Sequence, residues 1–237
     1  GKTTAMFTLA RQFDKFVLVT TSTHLGTNQL GFADQHIVVS SVEEISRLDP
    51  DALSAVSVIT SGEAGNDRVA GLNEEYLLAL GEFTREHGLP LLIEADGARE
   101  RALKAPAEHE PAIPSFVDHV VVVAGLSELG QPLSESTVHR LEQYSTLAQL
   151  KPGELIDSGA IARVLAHLQG GLKNIPPTAK RVVLLNQADT PAFEAAAKTA
   201  SAQLLEAYDA VLVAALQASP EVKTVSVSYT HLRAHET

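Results

Sequence analysis

An α/β fold with a doubly wound, mostly parallel sheet follows from three features of the chain. Short, continuously apolar runs alternate with stretches of helical period, as strands buried on both faces do. The polar clusters fall at the carboxyl ends of those runs, which is where open α/β sheets hold their ligands. The opening "GKTT" leads straight into an amphipathic stretch, as an anion-binding turn leads into the helix whose N-terminus faces the anion.

The elements can be taken in order. Met6, Leu9, Ala10 and Phe13 recur at helical spacing after "GKTT" and predict a helix with that apolar face. "KFVLVT" (15–20), "HIVVS" (36–40) and "AVSVIT" (55–60) predict buried strands. Asn73 is placed to cap a helix carrying Tyr76, Leu80, Phe83 and His87, which Gly88 closes. "PLLIEAD" (90–96) predicts a strand ending at an acidic residue and a glycine. "HVVVVAG" (119–125) is the most strand-like run of all. Helices are expected from about Ser134 and around Ile161, Val164, Leu165 and Leu168. "RVVLLNQAD" (181–189) predicts a strand, 192–207 a helix with Phe193, Ala197, Ala200 and Leu204 on one side, and "AVLVAA" (210–215) a last strand. The proline-rich stretch 104–114 reads as a loop inside the domain.

Length and composition bound the function. The 237 residues suit one domain with an ordinary apolar content of 45 %. A formal charge of −11 argues against nucleic acid or an anionic membrane as main partner. The absence of cysteine excludes disulfides, thiolate metal sites and thiol chemistry, and fits a cytoplasmic protein. No apolar run is long enough to span a bilayer.

Gly1, Lys2 and Thr3 match the closing Gly-Lys-[Ser/Thr] of a P-loop, whose usual form has a further glycine four residues upstream. In that reading Lys2 meets the outer phosphates, Thr3 ligates Mg²⁺ and Thr4 donates to an inner phosphate. The fold class is then P-loop NTPase-type, with helices on both faces of the sheet and the first strand upstream of this sequence. The other end, "VSYTHLRAHET", has neither apolar period nor turn logic and resembles translated sequencing adapter. The expectation is a gene fragment, with one nucleotide-binding domain over 1–225 and a foreign tail over 226–237.

Five further clusters carry candidate chemistry. Thr20, Thr21, Ser22 and Thr23 end a strand and can reach Mg²⁺ or a γ-phosphate, and His24 can move a proton near neutral pH; the same residues also fit an ordinary strand end. In "EADG", Glu94 and Asp96 share a strand face. Asp96 stands where a P-loop protein keeps its Mg²⁺-holding carboxylate, so Thr3 and Asp96 are the expected metal pair. Glu94, deeper in the strand, needs a partner if it is charged. Lys104, Glu108, His109 and Glu110 sit among three prolines, either as a fixed array or as a stiff solvated loop. "LLNQAD" keeps the spacing of Asn-Lys-x-Asp, with Asn186 and Asp189 as base-reading residues. Gln187 replaces the lysine, which leaves GTP against ATP open. "GGLKNIP" (170–176) fits a turn after a helix, with Lys173 available to an anion.

Together these residues resemble the selenium-dependent molybdenum hydroxylase accessory protein family, YqeC-like P-loop proteins. The likeness rests most on "EADGARERALKAPAEHEPAIP" (94–114), with "GKTT", "LVTTSTH", "GGLKNIP" and "LLNQAD" in the order that family has them. It implies a cytoplasmic, nucleotide-dependent role in maturing a molybdenum hydroxylase or its cofactor. Its implied ligands are Mg²⁺ with GTP or ATP, and its implied partner a protein of that pathway. It also implies binding roles for Lys104, Glu108 and His109. The leading expectation is a nucleoside triphosphatase, with Asp96, Glu94 and His24 nearest the chemistry. The alternatives are a non-enzymatic, nucleotide-gated chaperone for the apo-hydroxylase and a P-loop small-molecule kinase using "RER" (99–101) as a lid.

Overall fold

The computed structural model describes residues 1–97 and 101–228. Its strands and helices alternate into an α/β architecture with mostly parallel sheets. Two compact units emerge: Lys2–Gly97 with Ala112–Phe116, and, among the described residues, 101–111 with 117–228 and Gly1.

The first unit runs α1 (Lys2–Ala10), β1 (Val17–Thr21), β2 (His24–Gly26), β3 (Gln35–Val38), α2 (Val42–Ser46), β4 (Val56–Thr60), β5 (Gly62–Gly65), β6 (Arg68–Ala70), α3 (Glu74–His87) and β7 (Leu91–Glu94). Its four-stranded parallel sheet has the order β3-β4-β1-β7. Period-two alternation divides its core into two layers. Leu18 and Ile59 point to one face with Ile45, Leu77, Leu80 and Phe83. Val17, Val19, Val56 and Val58 point to the other with Phe7, Ala10, Leu25 and Val69. Both faces are therefore covered, which is why the strands read as unbroken apolar runs.

Helix α3 forms where its end signals place it. The Asn73 side chain accepts from Tyr76 N–H at 2.8 Å, and Gly88 closes the helix at φ 62°. The expected face of α1 is corrected. Phe7 and Ala10 are the buried residues, while Leu9 and Phe13 are exposed. The helix ends at Ala10, and the chain turns where the Arg11 guanidinium forks onto Asp34 (2.6 and 2.9 Å) and reaches Phe32 O. Phe13 thus lies beyond the helix.

The antiparallel sheet β2-β6-β5 was not expected. Its Asn66–Asp67 turn takes φ 51° and 54°, left-handed values that Asn and Asp tolerate but that the string "GND" does not announce. Gly71 beside it allows no side chain, because a Cβ would collide with the carbonyls of Thr21 and Thr23.

The second unit contains β8 (Leu103–Lys104), β9 (His119–Gly125), β10 (Val138–His139), α4 (Leu141–Ala148), α5 (Ser158–Leu165), β11 (Lys180–Asn186), α6 (Pro191–Leu204), β12 (Ala210–Ala214) and β13 (Val222–Val227). Its larger sheet has the order β13-β12-β11-β9, parallel except for β13. Val183, Leu185, Val211 and Val213 pack with α5 and α6 residues Ile161, Val164, Ala197, Ala200 and Leu204.

Two expectations shift in this unit. The helix expected from Ser134 starts at Leu141, because the Thr137 hydroxyl accepts from Ser134 N–H and donates to Pro132 O, holding a turn there. Leu168 is exposed because α5 ends at Leu165 and the chain folds back, Gly171 N–H donating to Val164 O at 3.0 Å. Residues 226 and 227, assigned to a foreign tail, pair within β13 against Val211 and Ala210. The rest of that tail from 229 onward lies outside the described residues. Among the described residues no helix is long and apolar enough to cross a membrane.

The α3 cap gives a direct check. Asn73→Ala is expected to lower unfolding stability by about 1 kcal/mol, read from denaturant titration, with Asn73→Ser restoring most of it.

Candidate functional site

In the first unit the amino end of α1 meets the carboxyl end of β7. Thr3 Oγ1 donates to Glu94 Oε2 at 2.8 Å. Lys2 Nζ lies 3.9 Å from Asp96 Oδ2. Gln29 completes the cluster, donating through Nε2 to Thr3 Oγ1 at 3.1 Å while its Oε1 accepts from Gly26 N–H. Of the expected metal pair, then, Thr3 is joined to Glu94, and Asp96 stands beside the lysine.

The strand geometry explains this pairing. Thr21 and Glu94 are partners in the β1–β7 ladder, so Glu94 lies at the sheet's carboxyl edge. Burial pushes its pKa up; the Thr3 hydrogen bond and the Lys2 charge oppose that shift, and Asp96 adds to it. Glu94 is therefore a carboxylate that is costly to charge where it stands.

The hydroxyls of β1 are placed differently. Thr20 and Thr21 are fully buried, and their hydroxyls donate to Ile59 O and Glu94 O, both at 2.8 Å. Thr23 Oγ1 lies 3.2 Å from Thr21 Oγ1. Ser22 Oγ is buried without a partner among the described residues. His24 opens β2, where it lines an open hollow of about 380 Å³ with Ala64, Gly65, Asn66 and Arg68. Thr4 lies within α1, and Gly1 precedes it.

In the second unit the proline-rich loop is a fixed array, built around Glu110. Its carboxylate accepts two parallel bonds from Arg140 (2.8 and 2.9 Å), one from Ala107 N–H, and a 2.6 Å contact from Lys104. Burial alone would raise the pKa of Glu110. Arg140, Lys104 and the Ala107 N–H outweigh burial and hold it at about 2. Lys173 donates to the carbonyls of Ala107 and Glu108, so its partners are peptide oxygens. Asn174 ties down Pro111 O. Glu108 and His109 are exposed at the loop tip. Asn186 and Asp189 lie at the carboxyl end of β11 and in the turn after it.

Gln29 and Arg140 are polar residues that sequence reasoning left without roles. Nothing near Gln29 signals its reach to Thr3. Arg140 takes φ 65° before α4, which no residue type at that position betrays. Arg99 and Glu100 of the expected arginine lid lie outside the described residues. Among the described residues, no three His, Asp or Glu side chains gather as a self-sufficient metal cluster.

A family model described as "YqeC protein" matches residues 1–142. The chain belongs to the YqeC family. The protein named "Uncharacterized protein YqeC" of Escherichia coli (strain K12) is 32% identical over 197 residues, covering 79% of this chain and 72% of that one. No solved structure matches the chain. Membership in this family agrees with the resemblance seen in the motifs.

Two pH dependences follow, with opposite signs. Above the ordinary carboxylate value of 4.5, folded Glu94 binds more protons than the unfolded chain, so its contribution to stability falls as pH rises through that window. Glu94→Gln is expected to gain stability relative to wild type from pH 4 to pH 7, measured by thermal melting. Glu110 is lowered, so its contribution is complete above 4.5 and is lost as pH falls toward 2. Glu110→Gln should cost on the order of 2 kcal/mol at neutral pH and progressively less in acid.

Proposed function

We propose that the Lys2–Gly97 unit binds a nucleoside triphosphate, GTP or ATP, with Mg²⁺, through a P-loop whose closing residues are Gly1, Lys2, Thr3 and Thr4. The observation that carries this reading is the 2.8 Å bond between the Thr3 hydroxyl and half-buried Glu94 at the amino end of α1. A hydroxyl and a carboxylate are hard oxygen donors of the kind Mg²⁺ takes, with phosphate oxygens and water completing its shell. Thr3, Glu94 and Asp96 fit that ion, which would neutralise the triphosphate and favour the charged form of Glu94. Lys2 and the N–H groups of the first turn of α1, at the positive end of its dipole, suit the phosphates.

In this reading Glu94 takes the metal-facing place that the sequence suggested for Asp96. Asp96 holds Lys2 until phosphate claims it. Bound nucleotide then serves an accessory step in maturing a molybdenum hydroxylase or its cofactor, as family resemblance implies. One observation favours binding without fast turnover. The hydroxyls of Thr20 and Thr21, considered as γ-phosphate sensors, are already bonded to carbonyls. A nucleotide-gated chaperone is therefore the second reading.

Calorimetric titration of the full-length protein with GTP and ATP, each with and without Mg²⁺, tests the proposal. Submillimolar, Mg²⁺-dependent binding is expected. Lys2→Ala should weaken it at least 100-fold, and Thr3→Val should remove the Mg²⁺ dependence. Unchanged affinity in Lys2→Ala would refute the phosphate site.

A further inference from the structure

In the second unit the carboxyl ends of β9, β11 and β12 converge on the turn 186–190, and that turn is pinned at nearly every polar point. Leu126 N–H donates to Asn186 O at 2.9 Å, and Ala188 N–H to Ala214 O at 3.0 Å. Lys223 Nζ donates to Ala188 O at 2.8 Å. Thr190 caps α6 by accepting from Phe193 N–H. Gln187 takes φ 63°, and its Oε1 lies so close over Gly125 that any Cβ there would collide with it.

Two groups are left over. Asn186 is 1% exposed. Leu216 N–H donates to its Oδ1 at 3.0 Å, which fixes the orientation of the amide. Its Nδ2 is then a buried donor with no acceptor among the described residues. Such a donor is expensive to leave unpaired, and a native fold keeps one where something else satisfies it. Three residues on, Asp189 is exposed, and its carboxylate bonds nothing among the described residues.

We propose that this turn binds the 2-amino-4-oxopyrimidine edge of a planar heterocycle. Asn186 Nδ2 calls for a carbonyl oxygen or ring nitrogen. The two oxygens of Asp189 call for two adjacent N–H donors. A 2-amino-4-oxopyrimidine carries an oxo group, a ring N–H and an exocyclic amino group along one flat edge. Guanine and the pterins share that edge; adenine lacks both the oxo group and the ring N–H. The carboxyl ends of parallel strands are where α/β sheets of this kind hold ligands.

The site lies within one unit and is independent of the phosphate proposal, so ligands without phosphate test it. Guanosine, neopterin, adenosine and xanthosine are titrated into full-length protein, by calorimetry and by the intrinsic fluorescence of the pterin. Guanosine or neopterin is expected to bind at least tenfold more tightly than adenosine. Asp189→Asn, an exposed change that leaves the fold intact, should weaken the preferred ligand at least tenfold. It should also improve xanthosine, whose C2 carbonyl meets the new amide N–H. Preference for guanosine assigns the site to a nucleotide, and preference for neopterin assigns it to a pterin. Adenosine binding equally well, no binding of any of the four at millimolar concentration, or an unchanged Asp189→Asn would overturn the proposal.

Discussion

A carboxylate half-buried at the end of a parallel strand is stabilised by pairing, by protonation or by a cation. In the first unit Glu94 is that carboxylate, and the positions of Thr3, Lys2 and Gln29 follow from it. The β1–β7 ladder sets Glu94 at the sheet edge opposite Thr21, and Thr21 spends its hydroxyl on the Glu94 carbonyl. The side chain is left to α1, whose first turn supplies the Thr3 hydroxyl. Gln29 then holds Thr3 from the other side. The cluster thus gathers round one partly buried carboxylate, and in the proposed reading a divalent cation would offset the cost of its charge.

The second unit settles a similar problem internally. Glu110 is surrounded by Arg140, Lys104 and a peptide N–H, and it stays charged far into the acid range. Nothing about this carboxylate invites a ligand. It instead stiffens a loop whose tip presents Glu108 and His109 to solvent. The contrast separates a carboxylate held charged by its partners from one whose surroundings oppose its charge.

Most of the parallel strands and the ends of α3 were legible because they depend on local chemistry: apolar runs, an asparagine cap and a closing glycine. The α1 face was misjudged because Met6 and Ala10 fit two apolar stripes, and tertiary contacts of Phe7 and Arg11 chose between them. The sheet β2-β6-β5 depends on left-handed Asn66 and Asp67, which a pattern search does not see. At the candidate site, Lys2, Thr3, Glu94 and Asp96 could be named from spacing alone. Which carboxylate reaches Thr3 depends on sheet register, and the contribution of Gln29 depends on a turn 26 residues away in sequence.

The central claim is that Thr3 and Glu94 act as one cation-binding unit. A double-mutant cycle of Thr3→Val and Glu94→Gln, read as the Mg²⁺-dependent gain in triphosphate affinity, tests it most directly. The account predicts strong non-additivity, with either change alone removing nearly the whole gain and the pair removing little more. Additive losses, or a Mg²⁺ effect that survives Glu94→Gln and vanishes in Asp96→Asn, would contradict it.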